Sequence, residues 1–206
     1  MLGNPANYIM NARNISLVIP ALILAGCVTL TAPNDASKWT VEAASADSTP
    51  SGPCRIYDEM HRLMLEGTLA AGKMDGTWTM FGSDGGRLSV SSYREGVLNG
   101  PVQMWYGFLA HPEARGRLKL EGTFAGGVYE GAVVRYYPSG MRQSLRVYEH
   151  GALKSSRYWS PAGVEQSAAS ANANADFELQ ADSKYMAAVA DTVTRSLAQA
   201  HRDIRK

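Results

Sequence analysis

Cysteine is scarce in this chain: 206 residues carry two, Cys27 and Cys54. Two thiols are too few for a disulfide framework, and a zinc site needs clustered ligands. The four histidines, His61, His111, His150 and His201, lie far apart and never pair at i, i+4. Charge of one sign is missing too. Twenty basic side chains stand against 19 acidic ones, a net of +1, which gives no electrostatic reason to expect nucleic acid as a partner. Catalytic signatures are absent as well. There is no Gly-x-Ser-x-Gly elbow and no dinucleotide fingerprint, and the glycine cluster at 82–86 lacks the lysine and the strand–helix context of a phosphate loop. No metal or cofactor is expected. Apolar residues make up 45% of the chain, enough to fold.

Long apolar runs are missing apart from one. Residues 15–26 are almost all apolar, a length suited to the core of a signal peptide and short of the roughly 20 residues that span a bilayer. Arg13 is the one charge before it, and Met10 offers an alternative start with a shorter polar lead. The run closes on Leu24, Ala25, Gly26 and Cys27, which resemble the lipobox of bacterial lipoproteins. That resemblance implies cleavage before Cys27 and acylation of its thiol, with two or more acyl chains giving stable anchoring at about 0.8 kcal/mol per buried CH₂. Residue 28 is Val rather than Asp, which by the same resemblance implies the outer membrane in a Gram-negative host. Residues 1–26 are therefore expected to be a signal peptide. Residues 27–53, rich in Ala, Ser, Thr, Asp and Pro, are expected to be a lipidated cysteine and a flexible tether in which Trp39 has no fixed role. Cys54 is expected to be buried, with pairing to another chain as the alternative.

The informative part is 65–163. Leu65-Glu66-Gly67-Thr68 returns 55 positions on as Leu120-Glu121-Gly122-Thr123, and Gly72, Gly76, Phe81, Gly85, Tyr93 and Gly96 return as Gly127, Gly131, Tyr136, Gly140, Tyr148 and Gly151. So many coincidences in one register mean duplication. Each half divides again at an offset of 24, since Gly72, Gly76 and Phe81 recur as Gly96, Gly100 and Trp105. Four units result, beginning near Gly72, Gly96, Gly127 and Gly151, the second lengthened by about seven residues around 106–115. Within a unit, 76–81 is a β-branched and aromatic run, 82–86 a turn cluster and 87–93 a second strand, followed by a turn at 94–96. Units this small are unstable alone and must stack.

Tyr129-Glu130-Gly131, the Tyr-x-x-Gly steps at Tyr93 and Tyr148, Asn99-Gly100, and the aromatic-to-glycine steps from Phe81, Tyr137 and Trp159 resemble MORN repeats, more closely the bacterial variant repeats. The Gly-x-Gly element of the standard repeat is largely missing. The resemblance implies a mainly β fold, a single-layer antiparallel sheet of stacked β-hairpins at 54–166, and an interaction or scaffold role. Trp78, Tyr93, Trp105, Tyr136, Tyr148 and Trp159 are the candidate binding residues, with an inter-hairpin core as the competing role for all six.

Residues 167–176 are of low complexity and are expected to be a linker. From 177 to 206 the period becomes helical: Met186, Val189, Val193, Leu197, Ala200 and Ile204 form one apolar stripe, with Asp182 among the charges expected off it. That helix is expected to cap the open end of the sheet, the alternative being a contact with a partner or a second copy. The functional expectation is a membrane-anchored, non-catalytic module that binds a protein partner in the cell envelope. An immunity or antitoxin-like protein is the alternative. A hydrolase of envelope polymers is a more distant one that would need paired carboxylates, for which the repeat equivalents Glu66 and Glu121 are candidates.

Overall fold

The computed structural model describes residues 28–30, 40–43, 49–58 and 60–204. They form one 12-stranded antiparallel sheet and one long C-terminal helix, so the chain is mainly β, a single layer of successive hairpins. The strands are β1 (Val28–Leu30), β2 (Thr40–Ala43), β3 (Gly52–Tyr57), β4 (Leu63–Ala70), β5 (Lys73–Phe81), β6 (Arg87–Arg94), β7 (Val97–Trp105), β8 (Leu118–Ala125), β9 (Val128–Tyr129), β10 (Gly131–Tyr136), β11 (Arg142–Glu149) and β12 (Ala152–Tyr158). Each strand pairs with the next in the chain, save that β8 pairs with both β9 and β10. Helix α1 runs from Ala168 to Ile204.

Two kinds of turn alternate along the sheet. At Ala71-Gly72, Glu95-Gly96, Gly126-Gly127 and His150-Gly151 both central residues have positive φ, the mirror-image turn whose twist suits a two-residue hairpin. At the other end of the strands a five-residue turn recurs. Asp58, Gly82, Tyr137 and Ser160 each donate a backbone N–H to the carbonyl four residues on, at 2.8–3.0 Å. The Asp58 turn extends the pattern one hairpin upstream of Gly72. The lengthened connection between β7 and β8 replaces this turn with a short 3-10 helix at Pro112–Ala114. It is fastened by Tyr106 Oη donating to the Tyr136 carbonyl at 2.7 Å and by an ion pair of Arg115 with Asp84.

The glycine of the Leu-Glu-Gly-Thr motif has a packing reason. A Cβ on Gly67 would stand 2.2 Å from the Trp78 ring, which lies across the β4 backbone and donates Nε1–H to the Thr68 carbonyl at 3.0 Å. The equivalent Gly122 faces Val133, 55 positions after Trp78, at a looser 3.1 Å.

Three expectations about the ends of the chain are corrected. Segment 27–53 is not a tether throughout. β1 pairs with β2 and β2 with β3, and Val41 and Ala43 are buried; Thr40 and Val41 are good strand formers, and β3 otherwise offers an open edge. Cys27 and Trp39 lie outside the described residues. Residues 168–176 are helix rather than linker. The Ser167 hydroxyl accepts from the Ser170 N–H at 3.4 Å as an N-cap, alanine is the best helix former, and Ala171 and Ala175 pack on Tyr158. Finally, α1 does not cap an end of the sheet but lies across one face. Its N-terminal alanines sit on β12, and Val189, Val193 and Leu197 join Cys54, Ile56, Leu65 and Trp78 from β3 to β5. The lengths agree: 37 residues make a helix of about 55 Å, and eleven strands in line make a sheet about 48 Å wide.

Gly67→Ala should destabilise the fold by about 2–3 kcal/mol, because the Trp78 ring has no room to yield, whereas Gly122→Ala should cost less than half as much. Urea unfolding of both variants checks this; equal losses would show that the ring contact is not what the glycine serves.

Candidate functional site

Strand alternation and the bulges sort the side chains onto two faces. Toward the helix point Ser89, Ser91 and Tyr93 of β6, Val102 and Met104 of β7, Leu120 and Phe124 of β8, Arg135 of β10, Ser144, Arg146 and Tyr148 of β11, and Tyr158 at the end of β12. The six candidate aromatics divide evenly. Trp78, Tyr93 and Tyr148 are buried under the helix, where they form core. Trp105, Tyr136 and Trp159 are half-buried on the opposite face. Leu24, Ala25, Gly26 and Cys27 lie outside the described residues.

On the outer face the half-buried aromatics fall into a row. Tyr57, Phe81, Trp105, Tyr136 and Trp159 each end a strand or follow it directly, one per hairpin. A bulge accompanies Tyr57, Phe81, Trp105 and Tyr136, and their cross-strand partners are Leu63, Arg87, Leu118 and Arg142. Each of these four rings directly follows an inward-facing residue, Ile56, Met80, Met104 or Arg135, so strand alternation turns it away from the helix. The Arg87 guanidinium stacks over Trp105 at 5.1 Å, Arg142 over Trp159 at 5.6 Å, and Arg157 over Trp159 at 5.0 Å. Arg157 is also held bidentately by Glu165. Arg87 and Arg142 have no carboxylate partner among the described residues. The row continues into hydrogen bonds, Tyr57 Oη donating to Glu42 at 3.1 Å and Tyr136 Oη to Glu121 at 2.7 Å.

Under the helix the surroundings change from apolar to charged between the two halves of the sheet. Over β4–β7 the helix presents Tyr185, Met186 and Val189 to Met80, Ser89, Ser91 and Tyr93. Over β10 and β11 it presents Glu178 and Asp182, buried to 7% and 4% exposure, to Arg135 and Arg146. Arg146, fully buried, donates Nη2–H to Asp182 at 3.1 Å and Nη1–H to Tyr148 Oη at 3.3 Å, and lies 5.8 Å from the rings of both Tyr129 and Tyr148. Arg135 Nη2 binds Asp182. The two Nε atoms stand 3.2 and 3.4 Å from Glu178 Oε2, within ion-pair range but not aligned as hydrogen bonds. Tyr158, Ser144 and Tyr129 hydroxyls donate to the same two carboxylates. Asp182 thus lies on the buried stripe, a correction to its expected place among the solvated charges; it stands one turn before Met186, and Glu178 one turn before it.

Sequence comparison of the halves carried a signal for this cluster. Arg135 occupies the repeat position of Met80, and Arg146 that of Ser91. A duplication that keeps its core elsewhere and gains two inward arginines needs acids to meet them.

Burial pushes the Cys54 thiol up from 9.0 to about 12 and the Tyr93 hydroxyl up from 10.0 to about 12. Tyr129 and Tyr158 rise as well, through burial first and then the neighbouring Asp182 and Glu178. Lys119 is held below its ordinary value by burial and by Arg135, against the pull of Asp182 and Glu178. Glu66 and Glu121 are not brought together. They lie on β4 and β8, about 19 Å apart at the usual strand spacing, with Arg55 at 3.7 Å from Glu66 and Tyr136 on Glu121. Among the described residues no three metal-binding side chains cluster, and no helix is long and apolar enough to cross a membrane. No protein-family description and no curated protein sequence matches the chain.

Arg146→Met should cost about 3–5 kcal/mol, because it strands two buried carboxylates with one guanidinium. Adding Asp182→Leu to it should recover part of that loss, which a double-mutant cycle in urea would read; a double variant as weak as the sum of the singles would refute the pairing. The raised groups are neutral when protonated, so their contribution is complete below their unfolded values near 9 to 10 and is lost as pH rises toward 12. The melting temperature should therefore hold steady from pH 7 to about 9 and fall steadily above 10, with Cys54 unreactive to thiol reagents until the fold opens. Rapid labelling at pH 8 in the native state would contradict this.

Proposed function

We propose that the protein is a lipid-anchored, non-catalytic interaction module of the bacterial cell envelope, held by an acylated Cys27 and engaging a protein partner through the sheet face turned away from the helix. The observation that carries the reading is the outer row of rings. Five half-buried aromatics, one per hairpin, are interleaved with Arg87 and Arg142 over about 38 Å of sheet. Tyr, Trp, Phe and Arg are the residues that anchor protein interfaces. A rigid sheet presents them without the entropic cost of ordering a loop. The two unpaired guanidiniums favour a partner that sets carboxylates between apolar side chains.

The anchor rests on the lipobox-like Leu24, Ala25, Gly26 and Cys27, and in a Gram-negative host Val28 favours the outer membrane. Cys27 immediately precedes β1. Acylation there would set one edge of the sheet at the bilayer surface and leave the row of rings running away from it. The likeness to MORN-variant repeats supports a scaffold over an enzyme.

Labelled palmitate should enter the full chain in cells and be lost in Cys27→Ser. A photo-crosslinking amino acid at position 105 or 159 should give discrete adducts with one partner, and the same group at the exposed Lys184 on the helix should give none. Adducts equally abundant from all three positions, or none from the outer face, would refute the docking face; palmitate retained in the serine variant would refute the anchor.

A further inference from the structure

Where α1 crosses the last strands it leaves a cavity of about 420 Å³ along its flank. Arg135, Gln143 and Tyr158 rise from the sheet, and Asn174, Phe177, Ala181 and the Glu178 carboxylate, itself engaged by Arg135, Gln143 and Tyr158, line the helix side. The volume is that of a small-molecule site, and most of the polar lining is already engaged. Tyr158 donates to Glu178 at 2.7 Å, Gln143 Nε2 to Glu178 at 3.4 Å, and Asn174 Nδ2 to Gln166 at 3.2 Å. Arg135 is the exception. Its Nη2 serves Asp182 and its Nε stands near Glu178, while Nη1 has no acceptor among the described residues. A guanidinium has five donors in a planar fork that matches a carboxylate, so this one is half used.

The charge around it leaves the same vacancy. Arg135 and Arg146 share the two carboxylates Glu178 and Asp182, and Lys119 stands nearby as a third cation. Lys119 has no acid within ion-pairing range among the described residues; the contact it makes is with the Tyr106 ring at 5.8 Å. At the mouth the chemistry reverses. Phe177 is 74% exposed, the most exposed large apolar side chain of the helix among the described residues, and beside it Ala181 leaves the entrance open.

We infer that this cavity is a binding site for a small organic carboxylate, its anionic head on Arg135 and its apolar body against Phe177. Such a ligand supplies the missing acceptor and the missing negative charge at once, and covers an aromatic ring otherwise left in water. The site is independent of the outer face, since its lining belongs to the helix side of the sheet.

Calorimetric titration of the purified full chain in detergent with phenylacetate, against the neutral isostere phenylacetamide, tests it. Saturable binding of phenylacetate below about 10 mM, with the amide at least about tenfold weaker, is expected. Ala181→Trp, which fills the mouth from an exposed helix position and leaves the ion cluster intact, should abolish it with the circular dichroism and melting temperature unchanged. Equal binding of acid and amide, binding that survives Ala181→Trp, or no saturable signal for phenylacetate in that range would each overturn the inference.

Discussion

The meeting of Glu178 and Asp182 with Arg135 and Arg146 governs how the two parts of this molecule fit. A sheet built by duplication offers a long helix two similar seats, one for each half, about 19 Å apart at the usual strand spacing. Apolar contacts alone discriminate weakly between them, because burial is non-directional. The ion cluster breaks the tie. A helix slid across by one half of the sheet would set two carboxylates over Met80 and Ser91 and leave two buried guanidiniums unpaired. The cluster therefore gives register rather than raw stability, the role for which buried ion pairs are best attested.

Around that constraint the rest is repetition. Alternating turns generate hairpins, and alternating side chains generate two faces. One face is committed to the helix, with Trp78 laid over Gly67, Cys54 and Ile56 in one core cluster with Leu197, and Tyr93 and Tyr148 at equivalent places in the two halves. The other carries the row from Tyr57 to Trp159. Opposite each of the first four rings a bulge adds one residue near the start of the partner strand, Met64, Leu88, Lys119 and Gln143 in turn. In the second half of the sheet that added residue is Lys119 or Gln143, and Gln143 reaches Glu178 on the helix.

The strands were legible in the sequence because their period, turns and glycines agree at every level. The offset of 55 placed β5, β6, β10 and β11 to within a few residues, and the offset of 24 placed the two-residue turns. What was not legible lay where one local rule hid another. Segment 168–176 has the small-residue composition of a linker, yet alanine at 171 and 175 is what lets a helix approach Tyr158 closely. Residues 28–30 and 40–43 look like tether until an open strand edge is there to receive them. Asp182 passed for a solvated charge because its partners, Arg135 and Arg146, are far away in the chain, and only comparison of the two halves position by position marks them as out of place. The sixfold set of aromatics could not be divided from spacing alone, because alternation assigns a face only once one residue of each strand is known to point inward.

The order of the elements has a temporal consequence. The strands pair with their neighbours in the chain, so the sheet can assemble progressively as the polypeptide emerges, but the helix that shields its apolar side is made after all of the strands. Until those final turns arrive, Ile56, Leu65, Trp78, Val102 and Leu120 have nothing to lie against. During biogenesis the nascent chain is thus a nearly finished sheet with one sticky side, a state that invites holdase chaperones and self-association and that ends only when α1 folds down.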